Sequence, residues 1–258
     1  MSTMAVPSLR VSSAPGRWVL AVTVLGSGIA SLDATVVNIA LPSIGREFHA
    51  GTSTIQWVMT GYTLSLAAFL LTGGTLGDRF GRRRMYLTGV VWFALASAAC
   101  GFAPDALALI ITRVLQGAGA ALLTPGSLAI LEASFAPADR SRAIGAWSGL
   151  SGVATAAGPL LGGYLITAAS WRWIFFVNLP IAAAVVTLGA RHVPESRDPA
   201  VAGKLDTPGA LTAVAFLAGL TFALIEGPTL GWSSPGVLAL AAVGTAALAA
   251  FLVRERTA

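Results

Sequence analysis

Apolar residues run along this chain for about twenty positions at a time, and the polar residues gather in short intervals between the runs. A hydrocarbon core of about 30 Å is crossed by roughly 20 residues of helix, so the runs can be counted as spans. Eight emerge, at residues 18–42, 54–77, 85–103, 106–131, 143–168, 173–190, 207–226 and 236–253. No stretch alternates apolar and polar positions as a strand would, which argues against an outer-membrane barrel. The glycines inside the runs would weaken helices in water, whereas in lipid small residues let helix backbones approach closely. The pattern predicts an all-α membrane protein. A short segment, 1–17, precedes six spans at 18–190. The polar stretch RHVPESRDPAVAGKLD, 191–206, links these to two additional spans at 207–253, and 254–258 follow.

Composition agrees with lipid as the solvent. The chain is 55% hydrophobic and 10% charged, whereas soluble domains are about half apolar and about a quarter charged. A net charge of +5 would suggest nucleic acid in a soluble protein, but these charges lie between apolar runs and form no extended basic face, so nucleic acid is not an expected partner. Cys100 is the one cysteine and lies within an apolar run, where it reads as a packing residue. The first 17 residues resemble the basic start of a signal peptide, yet the run after them is about twice as long as such a peptide needs, so a retained first span is expected.

The cations orient the spans. With a cytoplasmic amino terminus, the inner segments hold Arg10, Arg17, Arg79, Arg82, Arg83, Arg84, Arg140, Arg142, Arg191, Arg197, Lys204, Arg254 and Arg256, and the outer segments hold Arg46 and Arg172. Thirteen against two follows the positive-inside bias and predicts a multi-pass protein of the cell membrane with both termini cytoplasmic.

Two ionisable residues fall well inside spans, Asp33 in the first and Arg113 in the fourth. A charge at such depth costs at least about 2.5 kcal/mol and normally faces a cavity or a partner. If the first helix ends near Pro42, Asp33 lies about 13 Å below its outer end, and Arg113 lies about 10 Å below the start of the fourth at Ala106, so one depth suits both. The pair reads either as a proton-handling site, with Asp33 titrating and Arg113 orienting it, or as a static ion pair. Asn38 and Gln116 are candidate substrate-cavity residues, or else interhelical hydrogen-bonding groups worth about 0.6 kcal/mol. Gly158, Pro159, Gly162 and Gly163 are expected to bend the fifth helix and to let it pack closely.

The stretch TGGTLGDRFGRRRM, 72–85, is expected to form the cytoplasmic turn between the second and third spans. Three arginines would serve as a topology anchor, but an anchor does not require Gly74, Leu76, Asp78 and Gly81 at fixed offsets. An acid at a helix end and a glycine in a tight turn look like parts of a latch. Nothing points to catalysis: His49 and His192 lie in separate predicted loops on opposite sides, and there is no phosphate-binding loop, nucleophile elbow or Cys/His cluster. No cofactor is expected.

The offsets of Gly74, Leu76, Asp78, Arg79, Gly81, Arg82 and Arg83 resemble the loop signature of the major facilitator superfamily, G-x-L-x-D-R-x-G-R-R. Three further segments resemble the fourteen-helix branch of its drug/proton antiporters: LDATVVNIALP at 32–42, LIITRVLQGAGAA at 109–121 and GPLLGG at 158–163. SWRWIFFVNLPI, entering the sixth span, is similar to the same branch. One departure is Ala154, where the branch has glycine. The resemblance implies a six-helix bundle built as a 3+3 inverted repeat, with efflux of drug-like hydrophobic or cationic compounds driven by a proton gradient. It makes Asp78 and its arginines conformational switch residues, places Asp33 in a proton-coupling signature, and assigns Gly158 to Gly163 to an antiporter motif. It covers one half of such a transporter. The expectation is therefore that a missing carboxy-terminal half or a second chain is needed for transport, within the lipid bilayer. The alternative is a non-transporting membrane sensor or assembly partner.

Overall fold

The computed structural model describes residues 9–197 and 207–257. Expectations resting on 1–8, on 198–206 with Lys204, on the Arg256 side chain and on Ala258 lie outside the described residues. Helix α1 spans Ala14–Phe48, α2 Thr52–Phe80, α3 Arg82–Gly101, α4 Ala106–Ser134 and α5 Pro137–Ala168. A short α6, Trp173–Phe176, leads into α7, Asn178–His192, and the two together make the sixth span. The last pair is α8, Thr207–Leu230, and α9, Pro235–Thr257.

Local chemistry sets the helix starts. Ser13 Oγ accepts the Gly16 N–H at 3.2 Å and opens α1, and Asp105 Oδ1 accepts the Ala108 N–H at 2.8 Å and opens α4. Both satisfy donors that a helix start leaves free. Residues before α1 are tied down as well: the Leu9 N–H donates to the Ser134 carbonyl at 2.8 Å, and the Val11 N–H to Asp139 Oδ2 at 3.1 Å.

All eight predicted spans are helical, but their ends differ from the apolar runs. Helix α1 continues through Pro42 to Phe48. The proline removes one donor, which a membrane helix tolerates, and Ile44 beyond it is buried with Val58 and Leu109. Residues 227–230, between the two expected spans, are the last turn of α8, leaving Gly231 to Ser234 as the connection. His192 is not in a loop: it sits in the last turn of α7, stacked on Trp18 with ring centroids 4.9 Å apart. Among the described residues seven spans are long and apolar enough to cross a membrane by themselves, and α3 is not one of them. Its first turn carries Arg82, Arg83 and Arg84, and small residues further along exchange apolarity for close contact. A Cβ on Gly89 would lie 2.7 Å from that of Leu122 on α4.

Packing runs mainly between the first three spans and the next three. The leading helix α1 lies along α5, the leading helix α4 lies along α2 and α3, and α3 meets α7. Helices α8 and α9 pair with each other, and α8 rests on α2, where Trp57 Nε1 donates to Glu226 Oε1 at 2.8 Å. Two apolar cores result. One gathers Val19, Val22, Tyr86, Phe93, Ile130 and Val185. The other gathers Val36, Val37, Ile44, Leu109, Ile174 and Phe175. On α1 the first ends at Ile29 and the second begins at Leu32, so Asp33 lies where they meet.

Candidate functional site

Where the two cores meet, five polar side chains from four spans converge. Asp33, Ser97, Arg113, Gln116 and Asn178 are all at most 2% exposed. Arg113 Nη1 donates to Asp33 Oδ2 at 2.5 Å and to Gln116 Oε1 at 2.7 Å, and its Nε donates to the Val58 carbonyl at 3.3 Å. Asp33 Oδ1 accepts from Gln116 Nε2 at 2.8 Å and from Asn178 Nδ2 at 3.1 Å. The same Asn178 nitrogen donates to Ser97 Oγ at 3.0 Å, and Ser97 donates to the Phe175 carbonyl at 2.9 Å. The Tyr62 ring covers the guanidinium at 4.1 Å, a contact worth about 2 kcal/mol when desolvated. The depth match expected for Asp33 and Arg113 is thus a direct ion pair. Removing either partner from such a pair costs about 3–5 kcal/mol, because a charge is left buried alone.

A cleft of about 330 Å³ opens beside this cluster among α1, α2, α4 and α5, walled by Ser27, Ser31, Tyr62, Thr124, Trp147 and Ser151. Trp147 Nε1 donates to Ser27 Oγ at 3.0 Å, which donates to Ser127 Oγ at 2.8 Å. Ser151 Oγ is buried without a partner. Tyr62 belongs to both the cleft wall and the charge cluster, so one aromatic ring separates the two. Of the residues expected to line a cavity, Gln116 is instead buried in the ionic cluster. Asn38 joins neither, since it is exposed and donates to the Ala34 carbonyl of its own helix at 2.8 Å.

The fifth-helix motif lies against α1 beside Asp33. A Cβ on Gly158 would fall onto Thr35 Oγ1, and one on Gly162 would come within 2.9 Å of Val36 Cγ1, whereas at Gly163 the space is open. Helix α5 runs unbroken through Pro159. The Ala154 methyl faces Gly28, where a Cβ would stand 3.5 Å away, so the departure from glycine is accommodated across the helix pair.

The latch differs from a loop. Asp78 and Arg79 belong to the last turn of α2, Arg82 and Arg83 to the first turn of α3, and only Gly81 separates the helices. The helices extend this far because Gly81 makes the whole reversal with φ of +111°, a conformation that favours glycine. Asp78 Oδ1 pairs with Arg82 Nε and Nη2, both at 2.7 Å. The Arg79 guanidinium lies 5.3 Å from the Phe80 ring centroid. Gly74 is not crowded, since a Cβ there would stand 3.8 Å from Pro125 Cβ.

The partner that sequence reasoning missed is Glu195. Its carboxylate accepts the N–H groups of Arg83 at 3.1 Å and Arg84 at 3.2 Å, and the Arg82 N–H donates to the Ser196 carbonyl at 2.9 Å. Arg83 Nη1 donates to the Val193 carbonyl at 3.1 Å. An anion therefore caps the start of α3, where the free donors and the helix dipole favour it. Asn178, Ser97 and Tyr62 were missed too. Each is a neutral residue in an apolar run, and only Asn178 lay inside a quoted segment.

Known proteins agree with this architecture. The chain is 38% identical to the tetracenomycin C resistance and export protein of Streptomyces glaucescens, over 98% of this chain and 47% of that protein. It is 41% identical to the multidrug resistance protein Stp of Mycobacterium tuberculosis, over 92% of this chain and 44% of that protein. With the puromycin resistance protein of Streptomyces alboniger it shares 41% identity over 94% of this chain and 48% of that protein. The chain thus spans about half the length of these relatives. The fold matches a crystal structure of a POT peptide transporter in complex with sulfate, at a TM-score of 0.63 over 91% of this chain and 51% of that one, with 16% identity. It also matches an inward-facing, unoccupied bacterial homologue of the human lysosomal transporter Spinster, at 0.59 over 93% and 61%, with 21% identity. Residues 23–254 carry the pattern of the Major Facilitator Superfamily, and this multi-pass membrane protein belongs to that family.

Proposed function

We propose that this bundle is the proton-coupling half of an efflux transporter that exchanges protons for drug-like, hydrophobic or cationic compounds. The carrying observation is the Asp33–Arg113 pair, buried to 0% and 2% side-chain exposure and held by Gln116 and Asn178. A carboxylate desolvated at this depth, beside a cleft whose wall touches its counter-ion, is placed to exchange a proton as a substrate comes or goes. Three relatives whose names specify resistance or export support the efflux reading. The proton gradient is the energy source, with no cofactor.

Alternating access rocks one bundle against another, and the relatives are about twice as long as this chain. Transport on this reading therefore requires a second bundle, from the same polypeptide or from another chain. The arginine bias puts both termini and the Gly81 junction in the cytoplasm of a cell whose plasma membrane holds the protein. The junction, with Asp78, Arg82, Arg83 and Glu195, acts as the conformational switch.

The test replaces Asp33 by Asn in the transport-competent assembly, reconstituted in liposomes. An imposed pH gradient should no longer drive substrate accumulation, and substrate-induced proton release should vanish. Normal pH-driven transport by a well-folded Asp33→Asn protein returns the pair to a static role.

A further inference from the structure

The Asp33 carboxylate accepts from three side chains, each placed as a donor. Oδ2 takes Arg113, and Oδ1 takes Gln116 Nε2 and Asn178 Nδ2. A proton arriving on this carboxyl makes it a donor as well, so one of the three neighbours must become an acceptor or leave. Arg113 has no acceptor atom. Gln116 is locked, because its Oε1 already accepts from Arg113 Nη1 at 2.7 Å and turning its amide would set N–H against N–H. Asn178 is different. Its Oδ1 is buried with no partner, so turning the amide sacrifices nothing on that side. Its other neighbour, Ser97 Oγ at 3.0 Å, is a hydroxyl that can donate as readily as it accepts.

We propose that Asn178 is the positioning residue that admits the proton: when Asp33 is protonated, the Asn178 amide turns over and accepts the new O–H. The inference rests on Asp33 being the proton site. The proton comes from hydronium, which leaves as water, and adds to Asp33 Oδ1. Asn178 Oδ1 then accepts from Asp33, and Ser97 turns its hydroxyl from the Phe175 carbonyl towards the same oxygen. One polar atom of the amide is unpartnered in either orientation, so the cost of the exchange falls on the Ser97–Phe175 hydrogen bond. The titratable groups facing Asp33 are Arg113 of α4, Tyr62 of α2 and Cys100 of α3. Helices α5, α6 and α7 bring none, which leaves the neutral Asn178 as the group able to follow the charge.

The test is pH-difference infrared spectroscopy on the transport-competent assembly in liposomes. A carboxylic-acid C=O band that Asp33→Asn removes belongs to Asp33. In Asn178→Leu, similar in volume but unable to accept, that band should move to higher wavenumber and pH-driven accumulation should fall roughly tenfold, the factor that about 1.4 kcal/mol carries. A second measurement leaves position 178 intact: asparagine labelled with 15N should shift amide bands that change with pH in the native protein. An Asp33 band unmoved by Asn178→Leu, or a pH-difference spectrum without asparagine bands, overturns the proposal while leaving Asp33 as the proton site. An acid band untouched by Asp33→Asn, with pH-driven transport intact, overturns the underlying reading instead.

Discussion

The fifth-helix glycines separate a packing requirement from a sequence pattern, because GPLLGG gives Gly158, Gly162 and Gly163 equal standing and the structure does not. Replacing a helical glycine by alanine gains about 0.5–1 kcal/mol where space is free. At Gly163 a methyl meets nothing, so Gly163→Ala should leave transport unchanged and raise thermal stability slightly. At Gly162 the added Cβ would stand 2.9 Å from Val36 Cγ1, and at Gly158 it would collide with Thr35 Oγ1 and reach 3.0 Å from Thr35 Cβ. Overpacking of this kind costs about 1–3 kcal/mol, leaving a net loss of up to about 2.5 kcal/mol after the helix gain is subtracted. Thr35 and Val36 follow Asp33 on α1, so the displacement reaches the charge cluster as well as the helix interface. Thermal unfolding in detergent together with pH-driven accumulation in liposomes measures both effects. Equal behaviour of Gly158→Ala and Gly163→Ala would refute the argument, because it would mean that α1 and α5 yield freely at this contact.

Two further predictions follow the same geometry. Glu195→Gln keeps the shape of the α3 cap but removes its charge, worth about 0.3–1 kcal/mol at a helix start, and Asp78→Asn breaks the pair with Arg82. Both should lower transport at near-normal membrane abundance, and unchanged efflux in both, measured beside immunoblot quantification, reduces the junction to an anchor. For topology, a cysteine at exposed Ser141 should be protected from an impermeant thiol reagent outside intact cells while one at exposed Ser233 reacts. Ser233 is preferred because Ser234 Oγ accepts the Val237 N–H at 3.3 Å, and labelling at 141 but not at 233 reverses the orientation.

The order of the helices was legible because each apolar run except that of α3 is long and apolar enough to stand as its own signal. The boundaries were less so. Pro42 marked the expected end of the first span and Pro228 lies beyond the expected end of the seventh, yet each lies inside its helix, as Pro159 does. Charges were legible for a related reason, since Asp33 and Arg113 stand out against apolar surroundings. Of their amide partners Gln116 stood out and Asn178 did not, because an asparagine or serine in a membrane span has no periodic signature and acquires meaning only when distant helices bring it to a carboxylate. Asn178 lies 145 residues from Asp33. Glu195 was hidden differently: it sits in a polar linker rich in charges, and only the geometry shows it closing the start of a helix 112 residues away.

The buried cluster also bounds how protonation would do work on the proposed reading. With Asp33 charged, Arg113 has its counter-ion, its contact with the Gln116 carbonyl and the Tyr62 ring. With Asp33 neutral, the same buried guanidinium retains only neutral partners. Losing the partner of a buried pair costs about 3–5 kcal/mol, and about 5.5 kcal/mol moves a two-state equilibrium from 1:99 to 99:1. One proton is therefore sufficient to shift most of the population away from this arrangement, provided another arrangement lets Arg113 reach water or a new acceptor. Tyr62 lies between Arg113 and the cleft, with its ring on Arg113 and the same residue in the cleft wall. A substrate pressing on that ring and a proton on Asp33 would act on the same guanidinium, and that shared element is what coupling between the two requires.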